Sequence, residues 1–495
     1  MQLQATIWTL LPPIIAIALA LITKEVYSSL LIGILSGALL YTSFSPITAI
    51  QTTFSIMGDK IGGNANILIF LVLLGILVSL VTKSGASRAY GEWASRRITS
   101  RRGALLATSA LGALIFVDDY FNCLTVGTVM RPVTDKYKVS RAKLAYIIDA
   151  TAAPVCIIAP ISSWAAAVGS SMPEGSSIDG FSLFLRTIPY NFYALLTLAF
   201  IIWLMVWDQD IFAMKAYQDK LGGKSDSINT ETHVVGGSGQ VKDLVVPILF
   251  LIISCVAAMM YTGGILEGAS LVDAFANCDS SASLVLGSFC TLVFTFIMYV
   301  PRGILTFGQF CESFTEGFKA MVPAIMILCL AWTLSGICSG DYLNIGGYVD
   351  SIVRGNAMII MLMPAIFFAI ALGLAFATGT SWGTFGILIP IAVIVFQNQV
   401  SELLIVTVAA CLAGAVCGDH ISPISDTTIL ASAGAQCNHI DHVSTQIPYA
   451  LSVAAMCFVS YLVAGFTGSG WAGLGTAAVL LVIFAAVIMS RAKKA

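Results

Sequence analysis

The segment with the densest chemistry runs from residue 418 to 428 and reads GDHISPISDTT. Its eleven residues include two carboxylates, one imidazole and four hydroxyls, and apolar sequence flanks it on both sides. Ionisable groups in such surroundings are costly to bury and mark sites that bind ions or substrates. Carboxylate and hydroxyl oxygens suit hard cations, and imidazole titrates near neutral pH. The candidate ion- or substrate-binding residues of this segment are Asp419, His420, Ser422, Ser425, Asp426 and Thr427.

A structural role is the alternative for the same segment, with Asp419 or Asp426 capping the ends of a broken helix. A zinc site is disfavoured, because Asp419 and His420 supply two ligands and no cluster of further ligands accompanies them.

A second acidic segment, residues 116–122, reads FVDDYFN and places Asp118 beside Asp119. Neighbouring carboxylates in a low dielectric resist ionising together, so one holds a proton unless a cation lies between them. That chemistry suits exchange of Na⁺ for H⁺, and Asn122 adds an amide to the candidate site. The structural alternatives are a helix N-cap and an ion pair with Arg101.

Two further segments combine hydroxyls with helix breakers. Residues 159–164 read APISSW, and the prolines at 154 and 160 unwind a helix, which frees carbonyls beside the hydroxyls of Ser162 and Ser163. Residues 378–384 read TGTSWGT, where glycine lets the backbone approach a ligand closely. A simple proline kink and small-residue helix packing are the respective alternatives. We expect Thr378, Thr380 and Ser381 to line the site, with Na⁺ held by Asp419, Asp426, Ser425, Thr378 and Thr380.

Three other polar residues are less clearly assigned by the sequence. Asp149 lies only a few residues inside its apolar segment, so a solvated interfacial position and a place in the site are equally compatible with it. His439 and His442 flank Asp441 in a polar stretch. We expect both imidazoles to be solvated, and a cytoplasmic pH sensor is the alternative.

The composition defines the kind of protein that must position these groups. The chain has 495 residues, of which 58% are hydrophobic and 10% charged, whereas soluble domains carry about 25% charged residues. Apolar runs long enough to cross ~30 Å of hydrocarbon recur along the chain. They predict an all-α polytopic membrane protein with about 11 full spans plus two re-entrant hairpins. The 12 cysteines are scattered singly, and no basic patch indicates nucleic acid as a partner.

Loop charges suggest the orientation, since cytoplasmic loops of membrane proteins are rich in Lys and Arg. Residues 83–102 and 131–143 carry six and five basic residues, so the apolar stretch 104–131 between them must enter and leave on the cytoplasmic side. Residues 263–282 and 339–357 carry five acids and one base, which makes 357–397 a hairpin from the opposite face. The same count places the C-terminus in the cytoplasm and the N-terminus outside.

Short matches between the halves predict two inverted-topology repeats with broken helices that meet near the midplane. Leu111-Gly112 and Leu372-Gly373 precede, by similar intervals, the two Pro-Ile-Ser segments at 160–162 and 423–425. The predicted first repeat is 1–207, with hairpin 104–131, broken helix 143–170 and connecting helix 188–207. A cytoplasmic linker at 208–242 leads to the second repeat, 243–435, with hairpin 357–397 and broken helix 404–435. A C-terminal helix pair occupies 436–495.

The four motif segments at 116–122, 159–164, 378–384 and 418–428 resemble the NhaC family of sodium/proton antiporters, within the ion-transporter superfamily. The resemblance extends over nearly the whole chain. It implies paired re-entrant hairpins facing broken helices, and relatives that exchange Na⁺ for H⁺ or couple these ions to small organic acids.

We therefore expect a secondary active transporter of the cell membrane that exchanges Na⁺ for H⁺ by alternating access, with lipid around it and without a further cofactor. The alternative is an Na⁺- or H⁺-coupled transporter of a small organic acid or amino-acid-like solute, held by half-helix N-termini. The absence of Arg and Lys from the four segments disfavours a strongly anionic substrate. A channel would show pore-lining repeats, and an enzyme would need a nucleophile beside a base. A homodimer is compatible with the resemblance.

Overall fold

The computed structural model describes residues 6–23, 25–173, 176, 178–221, 238–270, 274, 278–345, 347–348, 357–396 and 400–492. The regular elements within these ranges are helices. The polytopic all-α prediction is confirmed in this respect.

The helices of the first half are mostly short. They are α1 (Leu11–Thr23), α2 (Val26–Tyr41), α3 (Pro46–Gly63), α4 (Ala65–Ser84), α5 (Ala86–Arg97), α6 (Arg101–Leu114), α7 (Asp119–Lys136), α8 (Arg141–Thr151), α9 (Ala153–Cys156), α10 (Ser163–Gly169), α11 (Gly180–Thr187), α12 (Phe192–Trp207) and α13 (Phe212–Leu221).

Longer helices dominate the second half. They are α14 (Val241–Thr262), α15 (Ser280–Tyr299), α16 (Phe307–Cys338), α17 (Ala357–Thr378), α18 (Ser381–Val395), α19 (Glu402–Ile421), α20 (Asp426–Ala435), α21 (His439–Thr467) and α22 (Gly470–Ala492).

Prolines and capping side chains explain the interruptions in the first half. Helix α8 ends at Thr151, and Pro154 lies in the first turn of the short helix α9, where its missing N–H costs nothing. Pro160 then follows, and α10 begins only at Ser163, where the Ser162 side chain accepts a hydrogen bond from Ala165 N. The predicted broken helix 143–170 thus consists of three pieces.

The helices of the second half are also interrupted by turns that contain glycine or proline and are followed by a capping side chain. Between α17 and α18 the backbone turns at Gly379, whose φ is 68°, and Thr380 caps α18. Between α19 and α20 the turn contains Pro423, and Ser425 caps α20 by accepting from Thr428 N. Helices α17 and α18 therefore face a broken helix, as α6 and α7 do in the first half.

One backbone hydrogen bond ties the hairpin turn to the broken helix in each half. Ser163 N donates to Val117 O at 2.9 Å in the first half, and Asp426 N donates to Gly379 O at 3.3 Å in the second. In both halves the donor is the first residue of the helix that follows the break. The inverted orientation of the two halves stays a prediction.

The number of spanning helices differs from the prediction. Within the described residues, 8 helices are long and apolar enough to cross a membrane, or up to 10 if each of two bent pairs counts as one. Fewer helices qualify because residues 143–170 divide into three short pieces, the first apolar helix is short, and two further segments are bent pairs. Hydropathy also passed over α3 and α5, which carry charged residues among apolar ones. Since α17 is itself long enough to cross, its re-entrant character stays a prediction.

The segment predicted as a cytoplasmic linker, 208–242, contains a helix at residues 212–221. Helix α13 buries Met214, and Tyr217 donates its hydroxyl to Asp441 Oδ2 at 3.3 Å. Just before it, Ile211 N donates to Tyr449 OH at 3.1 Å. These contacts dock α13 on α21. Residues 222–237 of the linker lie outside the described residues.

Candidate ion-binding site

The first acidic pair is buried at the start of α7. Asp118 and Asp119 are each 1% exposed, and Trp164 Nε1, on α10, donates to Asp119 Oδ2 at 3.1 Å. The Trp164 ring packs against Trp382 and Phe385. The alternative ion pair with Arg101 does not form, because Arg101 pairs with Asp208 in the described residues.

Asn122 secures this region from within. Its Nδ2 donates to Gly112 O at 2.7 Å, Ile115 O at 2.9 Å and Thr151 O at 3.2 Å. These three carbonyls lie in the last turn or at the C-cap of α6 and at the end of α8, where helical carbonyls lack partners. The amide group of Asn122 therefore joins the hairpin to the broken helix.

Ser162 and Ser163 lie at the break and differ in their contacts. Ser162 Oγ donates to Cys156 O at 2.8 Å and caps α10, so it stabilises the local fold. Ser163 Oγ is buried and has no hydrogen-bond partner among the described residues. Of the two, Ser163 offers the free oxygen.

Asp426 connects the two halves of the protein. Tyr120 OH, on α7, donates to Asp426 Oδ2 at 2.5 Å, although the two residues are 306 positions apart in the chain. The carboxylate is half-buried, and its own backbone N–H is held by the Gly379 carbonyl of the α17–α18 turn. The acidic segments of both halves therefore meet at one place.

Asp419 is the more enclosed of the two acids in the segment 418–428. It is 1% exposed, and Thr427 Oγ1 donates to its Oδ2 at 2.8 Å. Its Oδ1 is buried without a hydrogen-bond partner among the described residues. Ser425 Oγ lies 3.1 Å from Thr427 Oγ1, so a short chain of hydroxyls leads from the break to this carboxylate.

The other predicted hydroxyl ligands contact backbone in this structure. Thr378 Oγ1 donates to Leu374 O at 2.9 Å, and Ser381 Oγ donates to Ala415 O at 3.2 Å. Thr380 caps α18, and Ser422 Oγ accepts from Ile424 N at 3.4 Å. The α17–α18 turn reaches Asp426 through the Gly379 carbonyl and not through a threonine hydroxyl.

Asp149 forms the centre of a separate buried network. It is 0% exposed, so a solvated interfacial position is wrong. Its Oδ2 accepts from Thr428 Oγ1 at 3.0 Å and from Gln446 Nε2 at 2.6 Å. Its Oδ1 lies 4.0 Å from His420 Nε2, while His420 Nδ1 contacts Tyr193 OH at 3.1 Å.

His442 belongs to this network as well. The expectation that it is solvated is wrong, since it is 0% exposed and its Nε2 lies 3.9 Å from Asp149 Oδ2. Helix α21 begins at His439, capped by the Asn438 side chain, and turns His442 inward. His439 is half-exposed, between the solvent and the network.

Sequence reasoning missed several residues that contact the acids. Three of them, Tyr120, Trp164 and Thr428, lie inside recognised motifs, and their side-chain donors were the available signal. Gln446, on α21, also bonds Asp149, and Tyr193, on α12, contacts the neighbouring His420. Both are polar residues within apolar helices, which was the signal for them.

The electrostatic character of the site follows from its donors. Asp119, Asp419 and Asp426 each accept from a neutral side chain, an indole, a threonine and a tyrosine respectively. Over the described ranges, the ion pairs of Lys and Arg involve other acids. Burying a carboxylate without an opposite charge is costly. A proton or a bound cation is therefore the natural counter-charge for these acids.

Comparison with solved structures supports the fold. The chain is similar to the YdaH transporter of Alcanivorax borkumensis, with a TM-score of 0.53 and 14% sequence identity over 85% of this chain and 89% of that one. At this identity, the similarity concerns the fold alone.

Sequence comparisons identify the family. An uncharacterized protein of Haemophilus influenzae is 41% identical over 99% of this chain and 96% of its own length. The malate-2H(+)/Na(+)-lactate antiporter of Bacillus subtilis is 26% identical over 38% of this chain and 43% of its own length. The model of the Na⁺/H⁺ antiporter family matches residues 164–466, which include three of the four motif segments wholly or in part. The resemblance drawn from the motifs is confirmed: this multi-pass membrane protein belongs to the Na⁺/H⁺ antiporter family.

Proposed function

We propose that this protein exchanges Na⁺ for H⁺ across the cell membrane by alternating access. The observation that carries the proposal is the set of acids bonded only to neutral donors in the described structure: Asp119, Asp419 and Asp426. Each carboxylate needs a positive partner when it is enclosed, and either H⁺ or Na⁺ meets that need. Competition of the two ions for the same oxygens couples the release of one to the binding of the other.

We place Na⁺ beside Asp419 and Asp426, with Ser425 and the α17–α18 turn around it. Support comes from the partnerless Asp419 Oδ1 and from the hydroxyl chain through Thr427. The carbonyl of Gly379 already reaches Asp426 and supplies a neutral oxygen near the acids. Thr378 and Thr380 stay candidate ligands that would have to turn away from their present backbone partners.

The orientation belongs to the same proposal. Residues 83–102 and 131–143 are rich in Lys and Arg. This favours the cytoplasmic side for α5 and for the connection between α7 and α8. Arg141 Nη1 donates to Ala435 O at 2.8 Å, so the end of α20 and the start of α21 lie on that side too. The C-terminus is then cytoplasmic and the N-terminus external.

A second candidate function is suggested by one relative. The Bacillus subtilis antiporter is named for malate, lactate, H⁺ and Na⁺, so coupling of these ions to a small organic acid fits the same family. An amino-acid-like solute is the related alternative. The half-helix N-terminus at Ser381 would hold a carboxylate group.

Transport assays in proteoliposomes distinguish the candidates. The purified protein is reconstituted with a lumenal pH dye, and Na⁺ is added first alone and then with L-lactate or malate. The Na⁺/H⁺ proposal expects lumenal pH to change on addition of Na⁺ alone. A pH change that requires the organic acid, together with uptake of that acid, would overturn the proposal in favour of the second candidate.

Substitution of the acids tests the site. Asp426→Asn and Asp419→Asn should abolish Na⁺ dependence, since an amide carries no charge for Na⁺ or H⁺ to balance. Glu312→Gln is the matched control, because Glu312 is 68% exposed on α16. Wild-type Na⁺ dependence in both Asn variants would exclude these acids as ligands.

A further inference from the structure

A serine hydroxyl lies between two imidazoles beside the Asp149 network. Ser432, on α20, places Oγ 3.0 Å from His439 Nδ1 and 2.9 Å from His442 Nδ1. His439 is half-exposed and His442 is fully buried. The three side chains form a continuous row from the surface into the protein.

In each imidazole, the ring nitrogen that faces away from Ser432 is Nε2, and it lies beside an oxygen that can only accept a hydrogen bond. His439 Nε2 lies 2.7 Å from Pro423 O, so it must carry a proton to form this bond. His442 Nε2 lies 2.9 Å from Gln446 Oε1. The amide orientation is fixed, because Gln446 Nε2 donates to Asp149 Oδ2 and to His420 O at 2.6 and 2.7 Å. His442 Nε2 therefore also carries a proton.

These assignments limit how protons can be shared along the row. A neutral imidazole has one N–H and one accepting nitrogen, so two neutral rings would both turn an accepting Nδ1 toward Ser432. The hydroxyl has a single proton, and the carbonyl of Thr428, one helical turn earlier and 2.8 Å from Ser432 Oγ, is a third acceptor for it. Both Oγ–Nδ1 contacts become hydrogen bonds through Ser432 when one imidazole carries a second proton and the hydroxyl turns its own proton from Thr428 O to the other ring.

We propose that His439, Ser432 and His442 form a binding site for one shared proton and relay it between the aqueous surface and Asp149. In the relay step the N–H bond at His439 Nδ1 breaks and its proton passes to Ser432 Oγ. The original Ser432 proton passes at the same time to His442 Nδ1. One N–H bond is lost and one is gained, and the positive charge moves from the surface ring to the buried ring.

The acid nearest the inner end of the row is Asp149. His442 Nε2 lies 3.9 Å from Asp149 Oδ2, close enough for a small rotation to make a direct bond. Titratable and charged groups also face the row or Asp149 from the neighbouring elements. They are Arg141, Tyr146 and Asp149 on α8, Cys123 on α7, Tyr193 on α12, Tyr217 on α13, Asp419 and His420 on α19, Asp426 on α20, and Asp441 on α21.

The shared-proton site itself does not depend on which ion is transported. Its role in delivering the exchanged proton does rest on the proposed Na⁺/H⁺ exchange. Asp149 is separate from the acids proposed to hold Na⁺, but Thr428 bonds it through Oγ1 and also approaches Asp419 O at 3.5 Å. A single residue, Thr428, therefore separates a proton that arrives at Asp149 from Asp419.

Nitrogen NMR tests the site directly, because the chain has four histidines. The full protein is labelled with ¹⁵N-histidine in lipid bilayers, and His439→Gln and His442→Gln variants assign the two rings. The expected result near neutral pH is a protonated Nε2 on both rings and one additional proton between the two Nδ1 atoms. Two neutral rings, or two fully charged rings, across about pH 6 to 8 would overturn the proposal.

Ser432→Ala should separate the two rings, so that each titrates independently and the additional proton is lost at neutral pH. Ser444→Ala is the control, since Ser444, on the helix α21 that carries both histidines, donates its Oγ to Asp441 O at 3.2 Å and lies outside the row. Ser432→Thr keeps a hydroxyl and should restore the wild-type spectrum. An unchanged spectrum in Ser432→Ala would show that the serine does not share the proton.

Transport measurements test the relay. Ser432→Ala should slow Na⁺-driven proton movement about tenfold at alkaline pH, where protons are scarce, with apparent Na⁺ affinity unchanged and Ser432→Thr active. Wild-type rates in Ser432→Ala at every pH would overturn the relay. If the wild-type protein moves no protons with Na⁺, the proposed exchange fails while the NMR result still decides the proton site.

Discussion

At the scale of single residues, the site pairs enclosed carboxylates with neutral donors of different kinds. The indole of Trp164 is the clearest example, because its N–H bonds Asp119 while its ring packs among aromatic side chains. Trp382, in the same aromatic cluster, has a buried Nε1 without a hydrogen-bond partner in the described residues. Two tryptophans in one cluster thus differ in a single hydrogen bond.

Trp164→Phe should weaken Na⁺ binding. The substitution keeps an aromatic ring but removes the donor to Asp119 Oδ2, and a hydrogen bond to a charged group contributes about 1.5–3 kcal/mol. Without it, ionised Asp119 is less stable and Na⁺ competes less well with H⁺. We expect the apparent Na⁺ affinity of transport to fall about tenfold or more. Trp382→Phe should leave it near wild type, and an equal loss in both variants would assign the effect to packing.

The acids of the site could be predicted from the sequence, and their partners could not. Asp119, Asp419 and Asp426 are conspicuous because charged residues are rare in apolar segments. The hydrogen-bond donors to Asp149 are Thr428 and Gln446, which are 279 and 297 residues away along the chain. Such contacts depend on how distant helices pack, and local composition carries no signal of that.

At the scale of elements, helix interruptions place the chemistry. The prolines, serines and glycines of the motifs predicted where helices break, because they act through local backbone geometry. The sequence did not predict helices α3 and α13, because their stability depends on long-range contacts and not on local geometry. Their polar residues lower the mean hydropathy, and each is stabilised by contacts with other helices, which a hydropathy average does not register.

Gly379→Ala should separate the α17–α18 turn from the second broken helix. Gly379 has a φ of 68°, and a Cβ there would lie 2.4 Å from Ile424 O, a backbone atom that cannot rotate away. A left-handed conformation alone costs a residue other than glycine about 1–3 kcal/mol. We expect a lower melting temperature in detergent and loss of transport.

Gly373→Ala is the matched control for this prediction. Gly373 lies in the same helix, α17, and a Cβ there would meet nothing within 4 Å. Because alanine is favoured over glycine within a helix by about 0.5–1 kcal/mol, the control should be as stable as the wild type or more so. Equal melting temperatures for the two variants would contradict the close approach at Gly379.

At the scale of the whole molecule, the site exists only where the two halves meet. Tyr120 of the first half bonds Asp426 of the second, and Thr428 of the second half bonds Asp149 of the first. Helices α7 and α20 approach so closely that a Cβ on Gly127 would lie 2.3 Å from the carbonyl carbon of Gly434. A rearrangement of one half against the other must therefore change the surroundings of Asp426 and Asp149.

Binding of Na⁺ between the halves should stabilise the entire protein, and H⁺ should oppose it. A ligand at 100 times its Kd adds about 2.7 kcal/mol to the free energy of unfolding. If Na⁺ and one H⁺ compete for the same carboxylate, the apparent Kd rises tenfold for each pH unit below the titration of that group. The Na⁺-dependent stabilisation should then fall by about 1.4 kcal/mol per pH unit.

Thermal unfolding in NaCl against choline chloride over a series of pH values measures this linkage. The difference in melting temperature should grow as pH rises and then level off, because the acids are fully ionised beyond that point. Asp426→Asn should remove most of the difference, whereas Glu312→Gln should keep it. A Na⁺ effect that is independent of pH would mean that Na⁺ and H⁺ bind to different groups. Coupling of the two ions would then have to arise from the movement of the halves, because the ions would not compete for shared oxygens.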